Sequence, residues 1–284
     1  MSDESSNKQQ SGKTTPLENL LPIDEHIEEV SEDGRKVRRR GIFLLPNLFT
    51  TAALFAGFYA IVAAINGNFE AAGLAIFFGQ LLDGMDGRIA RLTNSQSKFG
   101  EEYDSLSDMV TFGVAPALVM FMWCLSGLGK LGWAVSFIYV ACAALRLARF
   151  NAQADTADRR FFTGLASPPA ATLIAATVWT GHDMGYLGLE LSTWTQSLLA
   201  FETALVGLMM MLNVPYHSFK GVDFKGRVPF AAVFAVMLVF VVITIDPPRV
   251  LFALALTYAL SGPVIYIWKL IRGKPKSGQD ASAP

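Results

Sequence analysis

The chain has little of what soluble proteins use to bind soft metals or to cross-link themselves. It holds two cysteines and three histidines in 284 residues. Cys124 and Cys142 form no C-x-x-C pair, so neither a thiolate metal site nor a disulfide framework is indicated, and both read as small buried apolar residues. His26, His182 and His217 are scattered, which argues against a histidine zinc site. Charge is scarce as well, at 17% of residues against 52% hydrophobic. With a mean hydropathy of +0.38, this composition fits a polytopic membrane protein better than a soluble one. No internal repeat is visible. Residues 1–40 lack the apolar core of a signal peptide. No nucleic-acid partner is expected.

What is abundant is long apolar sequence. Eight stretches can each cross about 30 Å of hydrocarbon: 47–66, 69–91, 100–126, 131–152, 167–185, 195–214, 228–246 and 249–271. The fold class expected is all-α, a membrane helical bundle of about eight transmembrane helices. An even number of spans puts both termini on one side. Of the 23 basic residues, all but Lys130 and Arg249 then fall on that side, which the positive-inside rule identifies as cytoplasmic. Residues 1–40 are polar and are expected to be a disordered cytoplasmic tail. Their juxtamembrane cluster, Arg35 to Arg40, sets topology and can also attract anionic membrane lipid at about 1 kcal/mol per basic residue. The expected division is a six-helix core over 41–227, two additional helices over 228–272 and a cytoplasmic tail over 273–284.

One run of polar residues interrupts the apolar pattern. It reads Asp83-Gly84-Met85-Asp86-Gly87-Arg88-Ile89-Ala90-Arg91, then Gly100, Asp104 and Asp108. On helices, Asp83 and Asp86 are i, i+3, and Asp104 and Asp108 are i, i+4, so each pair points off one face. Bare carboxylates near hydrocarbon cost up to roughly 3 kcal/mol each at a helix centre. Four of them need a compensating charge, and a hard divalent cation such as Mg²⁺, Mn²⁺ or Ca²⁺ suits oxygen ligands. Gly87 and Ala90 beside the carboxylates let a bulky polar group approach the backbone. Carboxylates, a divalent cation and an arginine together describe a diphosphate site.

The run matches D-x-x-D-G-x-x-A-R-x8-G-x-x-x-D-x-x-x-D at every position and so resembles the CDP-alcohol phosphatidyltransferases. The resemblance implies displacement of CMP from a CDP-linked lipid by an alcohol. It implies that Asp83, Asp86 and Asp104 bind two Mn²⁺ or Mg²⁺ ions. Asp108 would be the general base and would also touch a metal. Gly87, Ala90, Arg91 and Gly100 would line the CDP group, joined by Asn47, which can equally cap the first helix after Pro46. The family also implies a homodimer.

Four further segments bear on the acceptor by resemblance: Leu44 to Thr50, Arg146 to Asn151, Phe162 to Ala170 and Pro215 to Lys220. Together they resemble integral-membrane phosphatidylserine synthases of bacteria, with Ala166 standing where a proline is expected. The substrates implied are CDP-diacylglycerol and L-serine, in the bacterial inner membrane with a cytoplasmic site. Serine brings a carboxylate, and Arg146, Arg149 or Lys220 at cytoplasmic helix ends could read it; each could also be a snorkelling basic residue. The alternatives are another acceptor (glycerol 3-phosphate, inositol phosphate or choline), a membrane prenyltransferase, or a transporter with intramembrane carboxylates.

Overall fold

The computed structural model describes residues 28–32, 35–39, 44–93, 97–153, 161–212, 214–217 and 230–271. It falls into two units, residues 1–42 and 43–284. In the first, β1 (Glu28–Glu32) and β2 (Arg35–Arg39) pair antiparallel, with Glu28 opposite Arg39, Glu29 opposite Arg38, Val30 opposite Val37 and Glu32 opposite Arg35. Asp33-Gly34 between them is a two-residue hairpin signal.

The second unit is a helical bundle. Its helices are α1 (Leu44–Ile65), α2 (Phe69–Leu92), α3 (Lys98–Asp108), α4 (Ala115–Trp123), α5 (Lys130–Gln153), α6 (Ser167–Asp183), α7 (Thr193–Met211), α8 (Phe230–Ile245) and α9 (Pro247–Ile271). Each of the eight apolar stretches carries helix. Four spans are long and apolar enough to cross a membrane: Pro46–Ile65, Lys98–Trp123, Lys130–Ala152 and Pro247–Tyr266. The others fall short for separate reasons. Helices α6 and α8 have 17 and 16 residues, fewer than the roughly 20 a straight span needs. Helix α2 is long enough, but its second half carries the Asp83 to Arg91 charges.

Helix α6 is the axis of the bundle. From Ala170 to Trp179 every residue is buried, because α2, α4, α7 and α9 all pack against it. Four of those ten residues are alanine, and small side chains let neighbouring backbones approach in a membrane, where apolar area alone drives no association. The outward faces are the reverse: Phe55, Phe58, Phe78, Trp133, Phe137 and Phe201 are each more than half exposed. That is the pattern of an apolar belt.

Helices α3 and α4 are one continuous rod with a π-helical turn, Met109–Val114, between them. The cause lies at Pro116, which cannot donate to the carbonyl four residues back and crowds it. That carbonyl is Phe112 O, and the Tyr139 hydroxyl on α5 donates to it at 3.1 Å. The same arrangement recurs in α9. Pro263 sits inside the helix, and the carbonyl it leaves, Ala259 O, accepts from the Tyr216 hydroxyl at 3.0 Å. In a medium without water an unpaired backbone carbonyl costs several kcal/mol, so each proline is matched by a tyrosine from another element.

Tyr216 belongs to β4 (Pro215–His217), which pairs antiparallel with β3 (Phe161–Thr163). This two-stranded clip ties the α5–α6 connection to the α7–α8 connection. Gly164 closes it with φ +88°, and a Cβ there would lie 2.4 Å from Met210 O. Only glycine fits both the backbone angle and the space. Ala166, where proline was expected, precedes α6 with φ −67° and ψ 146°. The φ is the one a proline ring fixes and the ψ is that of polyproline II, so alanine keeps the turn.

Candidate metal and diphosphate site

Helix α1 packs against both α2 and α3, and beside it the carboxylates of the C-terminal part of α2 and the later turns of α3 converge. Asp83, Asp104 and Asp108, each partly buried, offer carboxylate oxygens that all lie within 4.8 Å of one another. Two oxygens on opposite sides of one hard cation sit about 4–5 Å apart, so this triad has the spacing of ligands to a shared ion. Asp104 Oδ1 is buried and finds no hydrogen-bond partner among the described residues. A buried carboxylate oxygen left unpaired among two other acids is costly. The donor set and the orphan oxygen therefore fit a hard divalent cation.

Asp86 stands beside this triad rather than in it. It is buried, and its Oδ2 accepts from the Thr50 hydroxyl at 2.9 Å. Its other oxygen accepts from the Gly87 amide. It remains close enough to act electrostatically on Asp104. Thr50 also ties the third wall: its carbonyl accepts from Ser107 on α3 at 3.1 Å, so one residue of α1 fixes both acidic helices. Nothing in the aspartate motif points to Thr50; only its place in the Leu44 to Thr50 segment marks it.

The nucleotide-side residues divide. A Cβ at Gly87 would meet nothing within 4 Å, so the space beside Asp86 is open. A Cβ at Gly100 would lie 3.1 Å from Ser97 Oγ and 3.5 Å from Asn47 Oδ1. Asn47 and Gly100 thus face each other at the starts of α1 and α3. Ser97 caps α3 by accepting from the Gly100 amide at 2.9 Å, so part of the need for glycine here is structural. Ala90 is partly buried and Arg91 is exposed at the end of α2.

The three acceptor candidates separate. Arg146 Nη1 donates to Ser167 Oγ of α6 at 2.8 Å. Its Nε is buried and has no partner among the described residues. Asp108, Tyr139 and Tyr258 act on its charge, so the guanidinium lies within electrostatic range of Asp108 of the triad. Arg149, one turn on, is partly buried. Lys220 lies outside the described residues. Tyr258 on α9 is a member of the surroundings the sequence did not flag; it acts on the charge of Arg146, and its ring lies tilted 5.6 Å from that of Tyr216.

Three convergent aspartates, an open flank at Gly87 and a partly buried arginine in a helical bundle are the parts that a divalent-metal-dependent phosphotransferase working at a membrane would need. Residues 43–182 match the CDP-alcohol phosphatidyltransferase family, and the chain belongs to that family. It is 37% identical over 236 residues to a CDP-diacylglycerol–serine O-phosphatidyltransferase of Helicobacter pylori strain J99, covering 83% of this chain and 98% of the relative. A protein of the same description from Mycobacterium leprae is 31% identical over 254 residues, 87% of this chain and 82% of its own. An archaetidylserine synthase of Methanothermobacter thermautotrophicus is 31% identical over 179 residues, 62% of this chain and 71% of its own.

Proposed function

We propose that this protein transfers the phosphatidyl group of CDP-diacylglycerol to the hydroxyl of L-serine, giving phosphatidylserine and CMP. The observation that carries this is the carboxylate triad together with the partly buried Arg146, whose Nε is buried and without a partner among the described residues. The relatives' activity supports serine as acceptor.

In this reading Asp83, Asp86 and Asp104 hold two Mg²⁺ or Mn²⁺ ions, with Asp108 also in reach. When bound, the ions neutralise the diphosphate and the CMP leaving group. Gly87, Ala90, Arg91, Gly100 and Asn47 hold the CDP moiety. Asp108 takes the proton of the serine hydroxyl as its oxygen bonds to the phosphatidyl phosphorus, and the bond from that phosphorus to CMP breaks. Arg146 offers Nε to the serine carboxylate, with Arg149 and Lys220 as the further candidate cations. The protein works as a homodimer of eight-span subunits in the bacterial inner membrane, with both termini and the site cytoplasmic.

The test is purified protein in nanodiscs with CDP-diacylglycerol, a panel of alcohols and CMP release. Serine should be the best acceptor and ethanolamine, lacking the carboxylate, a poor one. A charge-assisted hydrogen bond contributes roughly 1.5–3 kcal/mol. Arg146→Ala should therefore raise the serine KM about tenfold to a hundredfold, with the CDP-lipid KM nearly unchanged. Glycerol 3-phosphate or inositol phosphate outcompeting serine would overturn the acceptor.

A further inference from the structure

The π turn at Met109–Val114 begins at the residue after Asp108. A widened turn takes in one residue more than an α-turn, and one residue is about 100° of rotation. The helix before it is thus turned relative to the helix after it. Both halves are docked. Before the turn, Ser107 donates to Thr50 O. Within it, Thr111 donates to Ala53 O at 3.1 Å. Thr111 is also wedged between α1 and α2: a Cβ at Gly57 would lie 2.8 Å from its Cα, and one at Gly79 would lie 2.7 Å from its Cγ2. After the turn, α4 packs on α1, α5 and α6, so the widened turn sets how α3, which carries Asp104 and Asp108, is rotated relative to the docked α4.

The turn stays open because Pro116 cannot donate to Phe112 O and the buried Tyr139 hydroxyl does so instead. We propose that Tyr139 is a positioning residue for the metal site: with Pro116 it holds the π turn open and so sets the angle at which Asp104 and Asp108 meet Asp83. This rests on the metal-binding part of the proposed function and not on the choice of serine as acceptor.

The alternative role for Tyr139 is hydrogen-bond satisfaction alone, and Pro116→Ala separates the two. It supplies an amide donor to Phe112 O and lets the turn close to α-helix. The readouts are Mn²⁺ binding to protein in nanodiscs, followed by the loss of the free-ion electron paramagnetic resonance signal, and the Tm. Tyr139→Phe should lower the Tm and weaken Mn²⁺ binding about tenfold or more. Pro116→Ala should weaken Mn²⁺ binding similarly, with no loss of Tm. In Pro116→Ala/Tyr139→Phe the Tm should recover from that of Tyr139→Phe while Mn²⁺ binding stays weak. Wild-type Mn²⁺ binding by Pro116→Ala, or recovery of Mn²⁺ binding in the double variant, would overturn the proposal. Should Tyr139→Phe fail to fold, Pro116→Ala alone decides. Absence of Mn²⁺ binding by the wild type would instead remove the metal reading itself.

Discussion

At the scale of single residues, the four aspartates are unequal. Asp86 already has two donors, from Thr50 and Gly87, whereas Asp104 keeps an unpaired buried oxygen. A bound cation is therefore worth more to Asp104 than to Asp86. EDTA should abolish CMP release and Mn²⁺ or Mg²⁺ should restore it, while Zn²⁺ should substitute poorly on hard oxygen ligands. Full turnover in excess chelator would refute the metal reading. Asp108→Asn keeps the side chain's size and removes the base, so turnover should fall about 10²-fold or more, with a smaller change in CDP-lipid binding. If Asp108→Asn abolishes Mn²⁺ binding as completely as Asp104→Asn, Asp108 is a ligand and another base must be sought. The motif alone made these acids legible. It could not rank them, because the ranking depends on Thr50, which is distant in sequence and has no chemistry of its own to advertise.

At the scale of elements, hydropathy and length placed every helix of the bundle to within a few residues, since an apolar run of that length has few other fates. Three features escaped, each for its own reason. The β1–β2 pairing was hidden by its polar composition, although the Asp-Gly dipeptide in the sequence between the strands is a hairpin signal. The β3–β4 clip joins segments far apart in the chain, and pairing of that kind leaves no local pattern. The π turn follows from Pro116, but the tyrosine that makes it tolerable lies on another helix. The matching pair in α9 gives a prediction. Tyr216→Phe leaves Ala259 O buried and unpaired, at a cost of about 1–3 kcal/mol, and should lower the Tm by several degrees. Pro263→Ala restores the helical donor and should recover most of that loss in the double variant. Equal Tm losses in the presence and absence of Pro263 would mean that Tyr216 acts through its ring packing against Gly262 instead.

At the scale of the whole molecule, the two ends of the bundle differ in charge. Asp83, Asp104, Asp108 and Arg146 meet around the C-terminal end of α2 and near Ser167, at the start of α6. Asp183, at the other end of α6, forms an ion pair with Arg249 at 3.1 Å. Arg249 also bonds Asp246. The two ends of α6 are separated by roughly 25 Å at 1.5 Å per residue, close to the thickness of a hydrocarbon core. Arg249 was one of only two basic residues that the charge pattern put on the far side, and the structure gives it two aspartates to neutralise. In the proposed topology the charge pattern of the sequence, through the positive-inside rule, turns the acidic site to the cytoplasm. Cysteines introduced one at a time test this, since Cys124 and Cys142 are both buried and should react slowly. In spheroplasts, a membrane-impermeant maleimide should label Glu190→Cys, in the α6–α7 connection beyond Asp183, without lysis. It should label Ser5→Cys and Ser282→Cys only after lysis. Labelling of Ser5→Cys and Ser282→Cys from outside would invert the protein and put the aspartates on the wrong side for cytoplasmic CDP-diacylglycerol and serine. Labelling of only one of the two from outside would mean an odd number of spans, and one of α2, α6, α7 and α8 would then have to lie within the bundle without crossing the membrane.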